Sequence, residues 1–175
     1  EKQLVGIVGA ISGTVKTETR ELKAGDKIYL NETIYAGVGA GTQILLLDQS
    51  TFTIGEDSEV VMDTFVFDPE TNDGKIVASV KQGSLKVISG LISKKNPDSL
   101  TVEVPEGTLG SRGTEFQTIV SKGKTDTLLI GPGKNNTLGM RPGAVLVGNN
   151  LGSTLLDNPY LSLIHISEPT RQAMI

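Results

Sequence analysis

Short runs in which apolar and polar residues alternate limit the folds open to this chain more than any other feature. In residues 50–55, Phe52 and Ile54 fall on one side of an extended backbone and two threonines fall on the other. Residues 76–80 and 100–104 repeat this pattern. No segment repeats apolar residues at helical spacing for three turns. The sequence therefore predicts an all-β protein in which helices are short or absent.

Turn-forming residues separate these runs. Gly25-Asp26, Asn72-Asp73-Gly74, Lys122-Gly123 and Asn149-Asn150 accept positive φ angles or fold their side chains back onto the backbone. A spacing of about 8–12 residues between turns is typical of an antiparallel β-sandwich or roll of many short strands. Two layers would cover apolar faces that one open sheet leaves wet. An irregular β-solenoid is the alternative, although no repeat of fixed period supports it.

One run has no polar side. Residues 44–47 are four consecutive apolar residues, which is typical of a strand buried on both faces. We therefore expect Leu45 and Leu47 to be covered as well as Ile44 and Leu46.

Charge and composition exclude several classes of function. The 16 Lys and Arg residues against 20 Asp and Glu residues give a net charge of −4, which opposes binding to nucleic acid or to anionic lipid. The absence of Cys excludes disulfides and thiolate chemistry. No apolar run approaches the ~18 residues that a membrane span requires. We therefore expect no nucleic-acid partner and no membrane span in this chain.

The two ends of the chain carry separate expectations. Residues 161–171 are identical to the translated read-through of a common transposon-based sequencing adapter, so we expect residues 161–175 to be non-native and the natural frame to break near Tyr160. The alternative is a natural C-terminal strand. A non-native tail should be exposed and free of long-range pairing. At the other end, Glu1 stands where an initiator Met is usual, and we expect an upstream segment in the natural protein.

Excluding residues 161–175 also changes which reactive side chains the natural protein offers. His165 is the single His of the chain and lies within that segment. The remaining 160 residues then offer carboxylates, Lys, Tyr, Ser and Thr, which removes imidazole bases and His-metal sites. No catalytic, cofactor-binding or metal-binding residue is assigned from the sequence, and no cofactor is expected.

An ordered series of motifs runs through the strands and turns, and it resembles the FecR domain over roughly residues 6–120. The motifs lie at residues 22–28, 31–34, 41–48, 54–58, 65–69, 83–87 and 104–116. The family-motif residues, for which we expect structural roles, are Gly25, Asp26, Asp48, Ser58, Gly83, Gly110, Arg112, Gly113 and Thr114. The family's usual Gly after the strand-ending Asp is Gln49 here, so we expect that turn to form without a free positive-φ position.

The resemblance implies a non-enzymatic β-domain that is periplasmic, on the cell surface or extracellular. It would act by protein–protein contact, in signal relay or as a module of a surface protein. We expect residues 1–130 to form the FecR-like domain and residues 131–160 its truncated continuation. Sigma-factor binding is not carried over, because the cytoplasmic segment that serves it in signalling members has no counterpart in these 175 residues.

Two stretches deserve separate interpretation. Arg112, between Gly110 and Gly113, has a donor fork that suits a carboxylate or phosphate ligand. We favour a structural interpretation, in which backbone carbonyls or Glu115 hold the fork in a tight turn. Residues 68–74 concentrate oxygen ligands like a calcium loop, but the Gly falls one position late for an EF-hand. An acidic hairpin loop is the favoured interpretation, and a calcium-stabilised adhesin module is the alternative.

A carboxylate-dependent carbohydrate-active enzyme is the alternative from another class of function. It requires two acidic side chains about 5–10 Å apart across a cleft. The candidates are Asp48, Asp57, Asp63 and Glu115. If they lie on separate faces, this alternative loses its support.

Overall fold

The computed structural model describes residues 1–132 and 143–157, and the backbone of Leu161–His165 and Arg171–Met174. Sixteen strands and one short helix occupy these residues, which confirms the predicted all-β class. The first eight strands are β1 (Leu4–Ser12), β2 (Val15–Lys16), β3 (Lys27–Tyr29), β4 (Thr33–Ala36), β5 (Gly41–Leu46), β6 (Thr51–Ile54), β7 (Ser58–Phe67) and β8 (Gly74–Ile88). Helix α1 (Leu91–Lys95) precedes β9 (Leu100–Val104), β10 (Gly107–Arg112), β11 (Glu115–Ser121), β12 (Lys124–Gly131), β13 (Ala144–Asn149), β14 (Gly152–Leu156), β15 (Leu161–His165) and β16 (Arg171–Met174).

Strand β8 belongs to two sheets. Its first part pairs with β7 and β9, and its last part pairs with β6 and β11. The first sheet has the order β3-β1-β5-β6-β8-β11-β12-β15-β16, and the second has the order β2-β4-β7-β8-β9-β10-β13-β14. Apolar residues from both sheets form one core cluster. The chain therefore folds into two connected layers around a shared interior.

One strand pair departs from the antiparallel arrangement that the sequence predicted. Strands β8 and β9 are parallel, with Ile76 opposite Leu100 and Ser79 opposite Glu103. After β8 the chain passes through α1 and returns to the start of the same strand. A parallel neighbour requires such a crossover, whereas an antiparallel neighbour needs only a tight turn. The other pairs between described strands are antiparallel.

The predicted alternation is confirmed in the strands that carry it. Phe52 and Ile54 of β6 are buried while the threonines between and before them are more exposed. In β9, Leu100, Val102 and Val104 are buried in the same way.

The expectation that residues 44–47 are covered on both faces is wrong. Leu45 and Leu47 are 40% and 47% exposed, whereas Ile44 and Leu46 point into the core. Strand β5 lies in a sheet whose outer face is open. Leu45 lies instead against the backbone of Gly9 on the neighbouring strand, which gives it partial shelter without a further layer.

The expectation that residues after 160 make no long-range pairing is also wrong. Strand β15 pairs antiparallel with β12, and β16 pairs with β15. The ladder is held by backbone N–H and C=O groups on the side of β12 away from β11, so the pairing depends first on an extended backbone. The side chains of residues 161–175, including His165, and all of Tyr160 lie outside the described residues. Strands β13 and β14, from residues 131–160, extend the second sheet beyond β10.

Candidate functional site

The turn between β5 and β6 holds a fully buried carboxylate. Asp48 Oδ1 accepts a hydrogen bond from the Ser50 backbone N–H at 3.0 Å, and Oδ2 accepts one from the Ser50 hydroxyl at 2.9 Å. The same Oδ2 accepts the Ile92 N–H at 3.3 Å, and the Asp48 carbonyl accepts the Leu91 N–H at 2.7 Å. Asp48 therefore joins its own hairpin to the first turn of α1.

Gln49 completes this turn in the left-handed region, at φ 69°. Its N–H donates to the Leu46 carbonyl, and the Leu46 N–H donates to the Ser50 carbonyl, as in a three-residue hairpin loop. The expectation that Gln49 would force another geometry is therefore wrong. The pattern of hydrogen bonds around Asp48 determines the turn, and the non-glycine residue adopts the conformation at a cost of about 1–2 kcal/mol.

A second set of buried hydroxyls continues from this turn. Ser89 Oγ donates to the Thr114 carbonyl at 2.7 Å and accepts the Thr114 N–H at 3.1 Å. Its oxygen lies 3.2 Å from that of Ser111, and Ser93 Oγ accepts the Gly113 N–H at 3.2 Å. Ser50 Oγ links the two sets by accepting the Gly90 N–H at 3.0 Å.

We call this continuous set of buried groups the polar belt. It consists of Asp48, Ser50, Ser89, Ser93, Ser111 and Thr114. The belt joins the β5–β6 turn, the end of β8, α1 and the β10–β11 turn. Sequence analysis found Asp48 and Thr114 and missed the four serines. Only Ser50 carried a signal, as the third residue of an aspartate-x-serine turn.

Arg112 lies beside the belt and does not enter it. Its Nε donates to Asp98 Oδ1 at 2.7 Å, and both side chains are partly exposed. The predicted partner, Glu115, forms an ion pair with Lys86 at 2.8 Å instead. The reason is the direction of the backbone: Arg112 ends β10, whereas Glu115 begins the next strand in the other sheet.

The two glycines near Arg112 differ in backbone conformation. Gly113 has φ 66° and takes the turn from one sheet to the other. Gly110 is an ordinary strand residue opposite Leu146, and an added Cβ would make only van der Waals contact at 3.9 Å. Positive φ is therefore needed at Gly113 alone.

Ser58 and Gly83 form a second close contact away from the belt. The Ser84 N–H donates to Ser58 Oγ at 3.0 Å, and a Cβ added at Gly83 would lie 2.1 Å from that oxygen. Gly83 has φ 86° and marks the point where β8 passes from one sheet to the other. These two family-motif residues therefore allow one strand to serve both sheets.

Gly25 and Asp26 lie in a separate, exposed turn. Asp26 Oδ2 accepts the Lys23 N–H at 2.8 Å, and the Gly25 N–H donates to the Val8 carbonyl at 2.7 Å. This turn connects to β1 and shares no contact with the polar belt.

An open cleft of about 890 Å³ lies beside the polar belt, where the ends of both sheets and α1 meet. Its wall is largely apolar, with charged groups at several points. The described residues that line it include Ile88, Lys94, Pro97, Arg112, Thr114 and Pro132. A concave wall that is largely apolar and carries a few polar groups is typical of a binding site.

The carboxylates that the enzyme alternative requires are not brought together. Asp48 is buried in the belt, and Asp63 accepts a hydrogen bond from Ser79 on the second sheet. Asp57 lies in the β6–β7 turn at φ 50°, and Glu115 begins β11 in the first sheet. The described part of the chain holds no cluster of three acidic or His residues able to bind a metal ion.

The acidic loop at residues 68–74 contacts the end of α1 and the residue that follows it. Asp73 lies 2.9 Å from Lys95 Nζ and accepts a hydrogen bond from Asn96 Nδ2 at 3.0 Å. The hydrogen bond from Lys95 holds the pKa of Asp73 below its ordinary value. Asp68 Oδ1 accepts the Glu70 N–H at 2.9 Å, which is the geometry of a self-capped turn.

Bilayer-crossing helices are not found among the residues that the structure describes.

Comparison with known proteins places this architecture. Two crystal structures of a candidate anti-sigma factor from Parabacteroides distasonis ATCC 8503 are similar in fold, with TM-scores of 0.61 and 0.59 at 11% and 10% identity. Each alignment covers 81% of this chain and 59% of the other, so the chain spans about three fifths of the length of these relatives. No curated protein matches the chain. A family model described as FecR protein matches residues 32–130, from just before β4 to within β12. Since this match covers more than half of the sequence, the chain belongs to the FecR family.

Proposed function

We propose that this chain is the β-domain of a FecR-type protein that relays a signal by contact with other proteins, outside the cytoplasm and without catalysing a reaction. The observation that carries the proposal is the family match over residues 32–130. The buried polar belt supports it, because five of its six side chains, those other than Thr114, hydrogen-bond within the fold and fix strands and turns in place. A rigid two-sheet body then offers its edges, loops and cleft for recognition.

The acidic net charge agrees with a protein partner rather than nucleic acid. Placement in the periplasm, on the cell surface or in the extracellular space is part of the proposal and follows from the family. The non-native origin of residues 161–175 is also a proposal, and it depends on the sequence identity alone.

A domain exchange tests the proposed function. Residues 1–157 would replace the matching β-domain of a FecR-type regulator whose inducer is known, with a reporter gene under the sigma factor that it controls. We expect inducer-dependent reporter expression, and we expect Asp48→Ala in the same chimera to abolish it. A chimera present at the normal level that never responds to inducer would contradict the relay role and would favour a module of a surface protein.

A further inference from the structure

The outer edge of β12 differs from the other strand edges of the two sheets. Strands β2 and β3 end their sheets with two and three residues, and β14 has five. Such short edges offer few backbone groups for pairing. Strand β12 has eight residues, and its ladder with β11 is regular from Phe116 to Ser121. We call its outer side, at residues 125–128, the β12 edge.

A strand occupies the β12 edge in this structure. In the antiparallel register, His165, Ile164, Leu163 and Ser162 stand opposite Thr125, Asp126, Thr127 and Leu128 in turn. Residues 161–171 also match an adapter translation, and on the proposal that they are non-native this occupant has no history of selection against β12. The pairing therefore reports a property of β12, namely that it accepts an extended segment.

Strand β15 pairs with the backbone of β12, but its residue types do not match the outward-facing residues of β12. Asp126 Oδ1 is buried without a hydrogen-bond partner among the described residues, and the residue opposite Asp126 is Ile164. The other oxygen lies 3.2 Å from Lys124 Nζ. Leu128, the next outward residue, stands opposite Ser162. By register, an apolar residue thus stands opposite an aspartate, and a serine stands opposite a leucine.

A strand that is better matched to β12 would differ from β15 at the positions opposite Asp126 and Leu128. A cross-strand cation would satisfy Asp126, and an apolar residue would extend the surface formed by Leu128 and by Ile119, which is 47% exposed on β11. We propose that the β12 edge docks an extended segment of a partner protein, with a basic residue opposite Asp126 and an apolar residue opposite Leu128. This inference rests on the proposed function, because it names the surface through which contact with a partner occurs.

The first test uses the full chain. Ile164→Lys should raise the hydrogen-exchange protection of those amides of residues 125–128 that point toward β15 by roughly two- to fivefold, the range expected for one cross-strand pair. Ile164→Asp is the matched control and should lower that protection. The gain from Lys should shrink at high salt, because an exposed ion pair is screened. Equal protection in the Lys and Asp variants would overturn the proposed choice of partner residue.

In the second test, the pairing strand is added to the protein as a separate peptide. Leu163→Pro in the full chain removes a backbone donor from β15 and should free the edge, while the core cluster, which lies between Val5 and Leu156, stays intact. Two labelled ten-residue peptides are then compared by fluorescence anisotropy. One carries Lys and Leu at the two matched positions, and the other carries Asp and Ser. We expect the first peptide to bind several-fold more tightly and to shift the amide signals of residues 125–128.

Three results would overturn the inference. Equal binding of the two peptides would remove the role of Asp126, and binding without amide shifts at residues 125–128 would place the site elsewhere. A dimer of the Leu163→Pro variant, seen by sedimentation and not dissolved by the peptide, would assign the edge to a second copy of the chain. A domain exchange that works while these tests fail would keep the proposed function and reject the β12 edge alone.

Discussion

Turns built from the same residue types serve opposite purposes in two regions of this molecule. In the β5–β6 turn, Asp48 and Ser50 are fully buried and bind backbone groups of α1. In the β7–β8 loop, Asp68 and Asp73 are exposed and make local or surface contacts. An aspartate in a turn therefore contributes more to the free energy of unfolding when it is buried, because removing one partner of a buried polar group leaves the others unsatisfied.

The largest expected effect is at the buried turn. Asp48→Ala should lower the free energy of unfolding by about 3 kcal/mol or more, because it leaves the Ser50 hydroxyl and two backbone donors without an acceptor. Asp48→Asn keeps one acceptor and should lower it less. Urea unfolding measures both changes. Asp73→Ala is the control from the exposed loop and should leave the urea midpoint unchanged. Equal losses at positions 48 and 73 would contradict the comparison.

Two glycines, one at a close contact inside the fold and one in an exposed turn, test the same difference between buried and exposed positions with uncharged residues. Gly83→Ala should cost about 2–3 kcal/mol, because the new Cβ meets Ser58 and the backbone has positive φ. Gly123→Ala, at an exposed hairpin tip with φ 72° and open space around it, should cost only the conformational share of about 1 kcal/mol. Thermal melting of the two variants gives the difference. If Gly123→Ala is as harmful as Gly83→Ala, the close contact with Ser58 carries no energy.

A substitution at Gln49 should stabilise the protein, whereas those described above destabilise it. Gln49→Gly should raise the free energy of unfolding by about 1 kcal/mol, since φ 69° is unfavourable for a residue with a side chain. The flexibility that glycine adds to the unfolded chain offsets part of this gain. Chemical denaturation of the two proteins measures it. A loss of stability on this substitution would show that the Gln49 side chain contributes to the fold.

The smallest expected effect is a pH dependence at an exposed carboxylate. Hydrogen bonding from Thr33, chiefly from its side chain and to a lesser extent from its backbone N–H, holds the pKa of Glu18 below its ordinary value of 4.5. The ionised form is favoured in the folded state, so its contribution is present above pH 4.5 and is lost as the pH falls through the lowered pKa. The melting temperature of Glu18→Gln should therefore lie slightly below that of the unchanged protein at pH 7 and approach it at pH 3. A difference that grows on acidification would reverse this assignment.

Much of the fold could be predicted from local pattern. Alternation at Phe52 and Ile54 gave the buried face of β6 because a strand shows its sidedness within a few residues. The parallel pairing of β8 with β9 could not be predicted, because it depends on where the chain goes after Ile88. Leu45 was misjudged for a related reason, since its shelter comes from a glycine on another strand.

The candidate site was predictable only where a motif named its members. Asp48 and Thr114 were found through the family pattern, but Ser89 and Ser93 belong to the polar belt through contacts with residues 25 and 20 positions away in sequence. Serine is common on surfaces and in turns, so composition gave no reason to select these two. The partner of Arg112 was missed because Asp98 is 14 residues away in sequence.

The shared strand β8 has a mechanical consequence. Because one continuous backbone is hydrogen-bonded into both sheets, a pull that displaces one sheet is carried along a covalent chain into the other. The layers cannot slide apart unless two ladders break together. A displacement of one sheet therefore strains the backbone of β8 where it enters the other sheet, at residues 82–83.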